Sequence, residues 1–153
     1  MPIERERKFI LKYMPELPAD AVQQELKQAY LMIAADRQLR VRLINDEKAV
    51  LCYKQKVNTT DRNEFEYDIP YAEGLELYDL AKLKLPKKRY SWSEGGLHFD
   101  IDIYPEEIGF NIVEIEYTDE LTSIPDFCGR DVSEETGYSN VAIAMKLKTS
   151  TNK

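Results

Sequence analysis

Charged side chains recur two residues apart in one stretch after another of this chain, and no other feature constrains its fold as tightly. Glu4, Glu6 and Lys8 open the pattern. Arg40/Arg42, Lys54/Lys56, Arg62/Glu64/Glu66, Lys87/Arg89, Asp100/Asp102 and Glu114/Glu116 continue it. A spacing of two is the period of a β-strand, in which alternate side chains share a face. The residues between are often apolar: Leu39, Val41 and Leu43 around the Arg40/Arg42 pair, Phe99, Ile101 and Ile103 around Asp100/Asp102, and Val113, Ile115 and Tyr117 around Glu114/Glu116. Such alternation predicts an antiparallel sheet with one apolar face and one densely charged face.

The strands are expected at 2–13, 28–33, 38–43, 50–57, 62–67, 84–92, 97–104 and 110–117, the last of them completing the sheet. Ala19 to Glu25 reads as a short helix. Tyr71 to Lys82 reads as a helix packed on one side through Leu75, Leu77, Tyr78, Leu80 and Ala81. A C-terminal helix is expected over Ser133 to Lys148, interrupted or capped near Ser139 and Asn140. Turns fall at Asn45-Asp46-Glu47, at 58–61 and at Glu94-Gly95-Gly96. No linker or repeat divides the 153 residues, so a single domain over 1–153 is expected, long enough to bury a core.

Composition narrows the chemistry. A formal net charge of −7 argues against a nonspecific nucleic-acid binder, which would carry a basic face. It is compatible with an anionic ligand in an enclosed basic pocket, where local charge outweighs the total. No apolar run is long enough for a membrane span and the first residues have no signal-peptide core, so a cytoplasmic protein without a membrane partner is expected. Cys52 and Cys128 match no metal-ligand spacing and suit a reducing compartment. With His98 the only histidine, carboxylates are left as the expected metal ligands, and serine or cysteine nucleophile chemistry lacks an obvious base.

Two arrangements satisfy the charged face. In an open sheet it is simply solvated. In a closed barrel it points inward, with the apolar faces turned out beneath helices. Charges that dense cannot lie dry and unpaired, since each uncompensated buried ion costs several kcal/mol. A wet tunnel with acids on one wall and bases on another solves this, and its natural guest is an extended polyanion accompanied by divalent metal.

Nearly the whole chain resembles the CYTH family, the triphosphate tunnel metalloenzymes. Glu4-x-Glu6-x-Lys8 is similar to that family's N-terminal ExExK signature, and the likeness then runs in order. Gln28-Ala29-Tyr30-Leu31 resembles QGYL, Leu39-Arg40-Val41-Arg42 the RxR strand, Tyr53-Lys54 the tunnel lysine and Arg62-x-Glu64-x-Glu66 the RxExE strand. Lys87-x-Arg89-Tyr90 resembles KxRY, Ile101-Asp102-Ile103-Tyr104 the strand carrying a tunnel aspartate, Glu114-x-Glu116 the ExE strand and Tyr138-Ser139-Asn140 the YxN element. Three positions depart from the pattern: Ala29 stands where glycine is usual, Phe99 where tryptophan is frequent, and Gly137 where a basic residue is common.

The resemblance implies an α+β fold: a closed eight-stranded antiparallel barrel with a charged lumen and flanking helices. It implies metal-dependent hydrolysis of a triphosphate with Mg²⁺ or Mn²⁺, inorganic tripolyphosphate being the default substrate. Nucleotide or thiamine triphosphate hydrolysis, nucleotide cyclisation and a non-catalytic polyphosphate-binding module are the alternatives. The residue types then suggest roles. Glu4, Glu6, Glu114 and Glu116 hold metal, with Asp102 a further ligand. Lys8, Arg40, Arg42, Lys54, Arg62 and Arg89 hold phosphate, and Lys87 activates water. Glu64 and Glu66 orient the bases by ion pairs, and Tyr30 supports the site from the core. Lys56 and Asp100 can equally sit on a solvated face. The helix around Tyr138 is expected to close one tunnel mouth, and the chain to work as a monomer or homodimer.

Overall fold

The charged faces turn inward because the sheet closes on itself. The structure, a computed structural model, describes residues 3–58 and 61–151, with side chains given for 5–58 and 61–150. In chain order the elements are β1 (Ile3–Leu11), β2 (Val22–Ile33), β3 (Arg37–Ile44), β4 (Lys48–Lys56), β5 (Asp61–Ile69), α1 (Tyr71–Leu80), β6 (Leu83–Glu94), β7 (Leu97–Ile103), β8 (Ile112–Tyr117), β9 (Cys128–Asp131) and α2 (Asn140–Thr151). The sheet order is β5-β4-β3-β2-β6-β7-β8-β1-β9, and β5 also pairs with β1. Eight strands, β1 to β8, thus form a ring whose paired strands are all antiparallel.

Local chemistry makes the tight hairpins. Asn45 and Asp46 join β3 to β4 at φ values of 53° and 55°, a left-handed pair that these two residue types tolerate. Gly95 and Gly96 do the same between β6 and β7 at 59° and 79°. The seam at β1 is less regular. One edge of β1 pairs with β8 from Arg5 to Ile10, while its other edge is divided between β5, over Ile3–Arg5, and β9, at Phe9 and Leu11.

Three apolar clusters hold the ring. Ala29, Val41, Leu43 and Ala49 point outward and are covered by α1 through Leu77 and Tyr78. Phe9, Trp92, Phe99, Ile101, Val113 and Ile115 point outward and are covered by Leu11, Leu17, Leu121 and Phe127 from the connecting segments. The third cluster lies at one end of the lumen, where Ile143, Ala144 and Leu147 of α2 pack on Tyr30, Leu85, Tyr104 and Ile112. Fully burying each large aliphatic side chain contributes about 1.5–3 kcal/mol, so α2 closes that end with a substantial driving force.

Two sequence expectations change. Ala19 to Glu25 is not a helix: β2 begins at Val22, and Val22 to Glu25 pair with Ser91 to Lys88 of β6. The ladder with β6 overrides the helical preference of the Gln-Gln-Glu run. Residues 133–139 are not helical along their length. They hold a single 3₁₀ turn at Thr136–Tyr138, and α2 starts at Asn140 after Ser139, whose hydroxyl accepts the Ala142 N–H at 3.1 Å. The sheet also gains β9, four residues with no periodic signal, so 110–117 is not the last strand. Among the described residues no helix is long and apolar enough to cross a membrane.

Candidate active site

Strand register decides which charges meet. On the acidic side Glu6 faces Glu116 and Lys8 faces Glu114 across β1 and β8, while Glu114 faces Asp100 and Glu116 faces His98 across β8 and β7. On the basic side Arg40 faces Cys52, Cys52 faces Glu66, and Lys54 faces Glu64. Arg89 of β6 faces Asp102 of β7. A polar cavity of about 70 Å³ lies between these walls, with Arg40, Arg42, Lys54 and Arg89 on its lining together with Asp100, Glu114, Glu116, Glu64, Glu66 and Asn140.

Asp102 is the most tightly held group. Lys87 Nζ donates to its Oδ2 at 2.6 Å, and Arg89 donates through Nε at 2.7 Å and a terminal nitrogen at 2.8 Å. Burial pushes the Asp102 carboxyl up, but the charges of Arg89 and Lys87 outweigh it and hold the group well below the usual carboxylate range. Lys87 moves the other way. Burial lowers its ammonium and Asp102 opposes this, but Arg89 and Arg42 push down further, to about 7. The same ammonium lies 3.4 Å from Asn140 Oδ1, which also accepts the Tyr104 hydroxyl at 2.8 Å. Asn140, the first residue of α2, thus ties the end plug to the lumen.

The other cations are held less closely. Gln28 Oε1 accepts Arg42 through two guanidinium nitrogens at 3.1 and 2.9 Å, and Gln28 Nε2 donates to the Tyr30 hydroxyl at 3.3 Å. Burial, then neighbouring Arg40 and Arg89, lower Arg42 to about 10. Glu64 lies 3.8 Å from Arg40 and 3.7 Å from Lys54, loose ion pairs that leave donors facing the cavity. The buried Nε of Arg40 has no hydrogen-bond partner among the described residues, an arrangement that favours an incoming anion. Glu66 is raised by burial, by a hydrogen bond with Glu64 and by that neighbour's charge.

The acidic wall offers oxygen donors. Glu6 is buried and paired with Arg62, and Glu114 lies 3.7 Å from Lys8 Nζ. Glu6 and Glu116 are directly opposed and Glu114 lies two positions along β8, but the ligand atoms that converge within 4.8 Å among the described residues are those of His98, Asp100 and Glu116 and of Cys52, Glu64 and Glu66. An all-carboxylate set fits a hard divalent cation. The Glu4 side chain lies outside the described residues; its backbone pairs with Arg62. Asp102, expected as a further ligand, has both oxygens engaged by Lys87 and Arg89.

At the end of the ring that α2 closes, a cavity of about 390 Å³ is framed by Ile33 to Gln38, by residues 132–139, and by Lys8, Lys54, Lys56 and Arg62. Tyr138 stands at this rim, and Lys8 Nζ donates to its carbonyl at 3.3 Å. Sequence reasoning passed over Gln28, Cys52 and His98 as site residues. The latter two continue the periods of Lys54/Lys56 and Asp100/Asp102 by one step, so the signal was present.

A closed antiparallel ring with opposed acidic and basic walls around a polar lumen defines a charged β-tunnel protein. The CYTH domain model matches residues 2–145, and the chain belongs to the CYTH family. An inorganic triphosphatase of Acetivibrio thermocellus is 34% identical over 119 residues, covering 74% of this chain and 76% of its own. An inorganic triphosphatase of Nitrosomonas europaea is 26% identical over 151 residues, covering 94% and 98%. The fold superposes on the crystal structure of an inorganic triphosphatase with a TM-score of 0.68 and 25% identity, covering 95% of this chain and 96% of that one.

Proposed function

We propose that this chain hydrolyses the terminal phosphoric anhydride of a triphosphate, inorganic tripolyphosphate foremost, giving pyrophosphate and phosphate. The observation that carries the reading is the polar cavity with Arg40, Arg42, Lys54 and Arg89 set against Asp100, Glu114 and Glu116. A receptor for anions alone has no use for a carboxylate wall, whereas a polyanion travelling with a divalent cation needs both. The curated relatives named above support the same activity.

Phosphoryl transfer asks the protein chiefly for positioning and charge neutralisation. Arg40, whose Nε has no partner among the described residues, presents a guanidinium fork suited to bidentate contact with phosphate oxygens. Arg42 and Arg89 line the same cavity with Nε and one terminal nitrogen already held by Gln28 and Asp102, respectively, and Lys8, Lys54 and Arg62 extend the basic surface toward the α2 end. Glu6, Glu114 and Glu116, with Glu4, would hold Mg²⁺ or Mn²⁺, which supplies charge stabilisation on the transferred phosphoryl oxygens. Asp102 pairs with both Lys87 and Arg89 and fixes their heads. Lys87 is the proton acceptor from the attacking water, a role its lowered basicity allows at neutral pH, and its ammonium lies 3.4 Å from Asn140, which lines the cavity. Glu64 aligns Arg40 and Lys54.

The decisive assay is phosphate release from tripolyphosphate, with ATP and pyrophosphate in parallel, under Mg²⁺, Mn²⁺ and excess chelator. Metal-dependent release that favours tripolyphosphate is the expected result. Turnover of ATP alone, or loss of ATP without free phosphate, would replace this reading with nucleotide chemistry. Thermal stabilisation by tripolyphosphate without any turnover would reduce the chain to a binding module.

A further inference from the structure

One cluster on the lumen wall mixes nitrogen with oxygen. His98 and Asp100 share a face of β7, two residues apart, and Glu116 is the cross-strand partner of His98 on β8. One donor atom from each of the three lies within 4.8 Å of the other two. His98 Nε2 is 3.1 Å from Asp100 Oδ1, while its Nδ1 is 3.0 Å from Ser93 Oγ, the residue opposite it on β6. Ser93 orients the imidazole through Nδ1, and Nε2 is directed at the carboxylates in a hydrogen bond with Asp100 whose proton an incoming metal ion displaces. Ser91 donates to Asp100 Oδ1 at 2.6 Å, and Arg89 faces Oδ2 at 3.7 Å, so the Asp100 carboxylate is also held in place.

This cluster has its own access. A cavity of about 380 Å³ opens on Ser93, His98 and Glu116 beside the β6–β7 hairpin. Because β2 and β6 run antiparallel as neighbours, that hairpin lies at the opposite end of the ring from the β2–β3 hairpin, the end that α2 closes.

We propose that His98, Asp100 and Glu116 bind a borderline divalent cation of the Zn²⁺ or Co²⁺ class at this second end of the tunnel. Three protein ligands on two adjoining strands form a tripod, and the open position faces the cavity, where water completes the coordination. The imidazole sets the selectivity: it suits Zn²⁺, Co²⁺ and Ni²⁺, whereas Mg²⁺ keeps to oxygen. Glu116 is also one of the carboxylates assigned to the metal of the triphosphate. Occupation of the His98 site therefore withdraws a ligand from the reaction centre and inhibits turnover, a consequence that rests on the triphosphatase reading, while the binding itself does not.

The test uses the untagged full chain, stripped of metal and titrated with ZnCl₂ or CoCl₂ by calorimetry. His98 is the sole histidine, so its imidazole proton resonance reports ligation directly in the wild-type protein. Its side chain is 38% exposed, so His98→Gln is expected to fold. The expected result is a shifted imidazole resonance at one equivalent of Zn²⁺, with affinity retained in Glu6→Gln and lowered at least tenfold in His98→Gln. An unperturbed imidazole, or equal affinity in His98→Gln, overturns the proposal. So does a cobalt–thiolate charge-transfer band, which would move the ion to Cys52 with Glu64 and Glu66. Neither readout contains a triphosphate, so failure here is separable from failure of the triphosphatase reading.

Discussion

Lys87 Nζ and Asp102 Oδ2 stand 2.6 Å apart with neither side chain exposed to solvent. Asp102 also receives Arg89, so one carboxylate pairs with two cations, and Asp100 stands 3.7 Å from the second of them. Asp102→Asn keeps the shape and removes the carboxylate charge that Lys87 and Arg89 share. Breaking a buried pair from one side costs about 3–5 kcal/mol. At roughly 2–4 °C per kcal/mol for a chain of this size, the melting temperature falls by at least several degrees. Mg²⁺ affinity, measured by titration without substrate, stays within a factor of about two; a tenfold loss would make Asp102 a metal ligand instead.

The same group sets an acid limb. Its carboxyl is held well below the unfolded value of about 4, with burial working against the shift and Arg89 and Lys87 prevailing. A lowered carboxylate contributes stability that is present above the unfolded value and lost as pH falls toward the folded one. Wild type should therefore lose stability more steeply below about pH 4 than Asp102→Asn does. Urea unfolding at a series of acid pH values measures the two slopes, and parallel slopes would contradict the assignment.

As the proposed general base, Lys87 should carry the pH dependence of turnover. Burial first, with Arg89 and Arg42, lowers it from 10.5 to about 7 against the pull of Asp102. A general base works in its deprotonated form, so kcat/KM should rise as pH increases through that value and then level off. Lys87→Met should lower kcat/KM by about 10²–10⁴ and remove the part of the rise that the triphosphate's own ionisation does not explain. A variant with an unchanged profile would move the base elsewhere.

Substitutions at Glu6 and Asp100 distinguish the two proposed metal sites. Glu6 faces Glu116 and is proposed for the oxygen set, whereas Asp100 is held by Ser91, His98 and Arg89. Under Mg²⁺, Glu6→Gln should reduce phosphate release from tripolyphosphate at least tenfold more than Asp100→Asn does. Equal losses would merge the two ligand sets.

Gly74 is a packing constraint of the outer layer. A Cβ built on it would lie 2.3 Å from the Ala49 Cβ, so α1 can lie against β4 only without a side chain there. Gly74→Ala should destabilise the fold by about 1–3 kcal/mol through overpacking, despite the better helix propensity of alanine. Thermal unfolding reads this directly, and kcat of the folded fraction should not change.

Much of this site could be read along the chain. The partition of Arg40, Arg42, Lys54, Glu64, Arg89, Asp102, Glu114 and Glu116 onto one face follows from alternation alone, because a strand's period of two is a local property. Val22 to Glu25 shows where local reading stops. Nothing in Gln23-Gln24-Glu25 favours a strand; the partner β6, more than sixty positions away, does. The four residues of β9 are invisible for the same reason, since they are a strand only because the free edge of β1 needs hydrogen-bond partners there.

The sequence by itself determined the strand periodicity, the segregation of charged from apolar faces and the inventory of acids and bases that a polyanion with its metal requires. Tertiary structure decided who meets whom. Register between β6 and β7 places Asp102 on Lys87 and Arg89 rather than on the acid wall, and register between β7 and β8 brings His98 to Glu116. Packing of Ile143 and Leu147 against Tyr30 and Leu85 closes one end of the lumen and delivers Asn140 to Lys87. Periodicity is a property of consecutive residues. Register, closure and burial depend on contacts between segments far apart in the chain, and those contacts set both the ion pairs and the basicity of the groups within them.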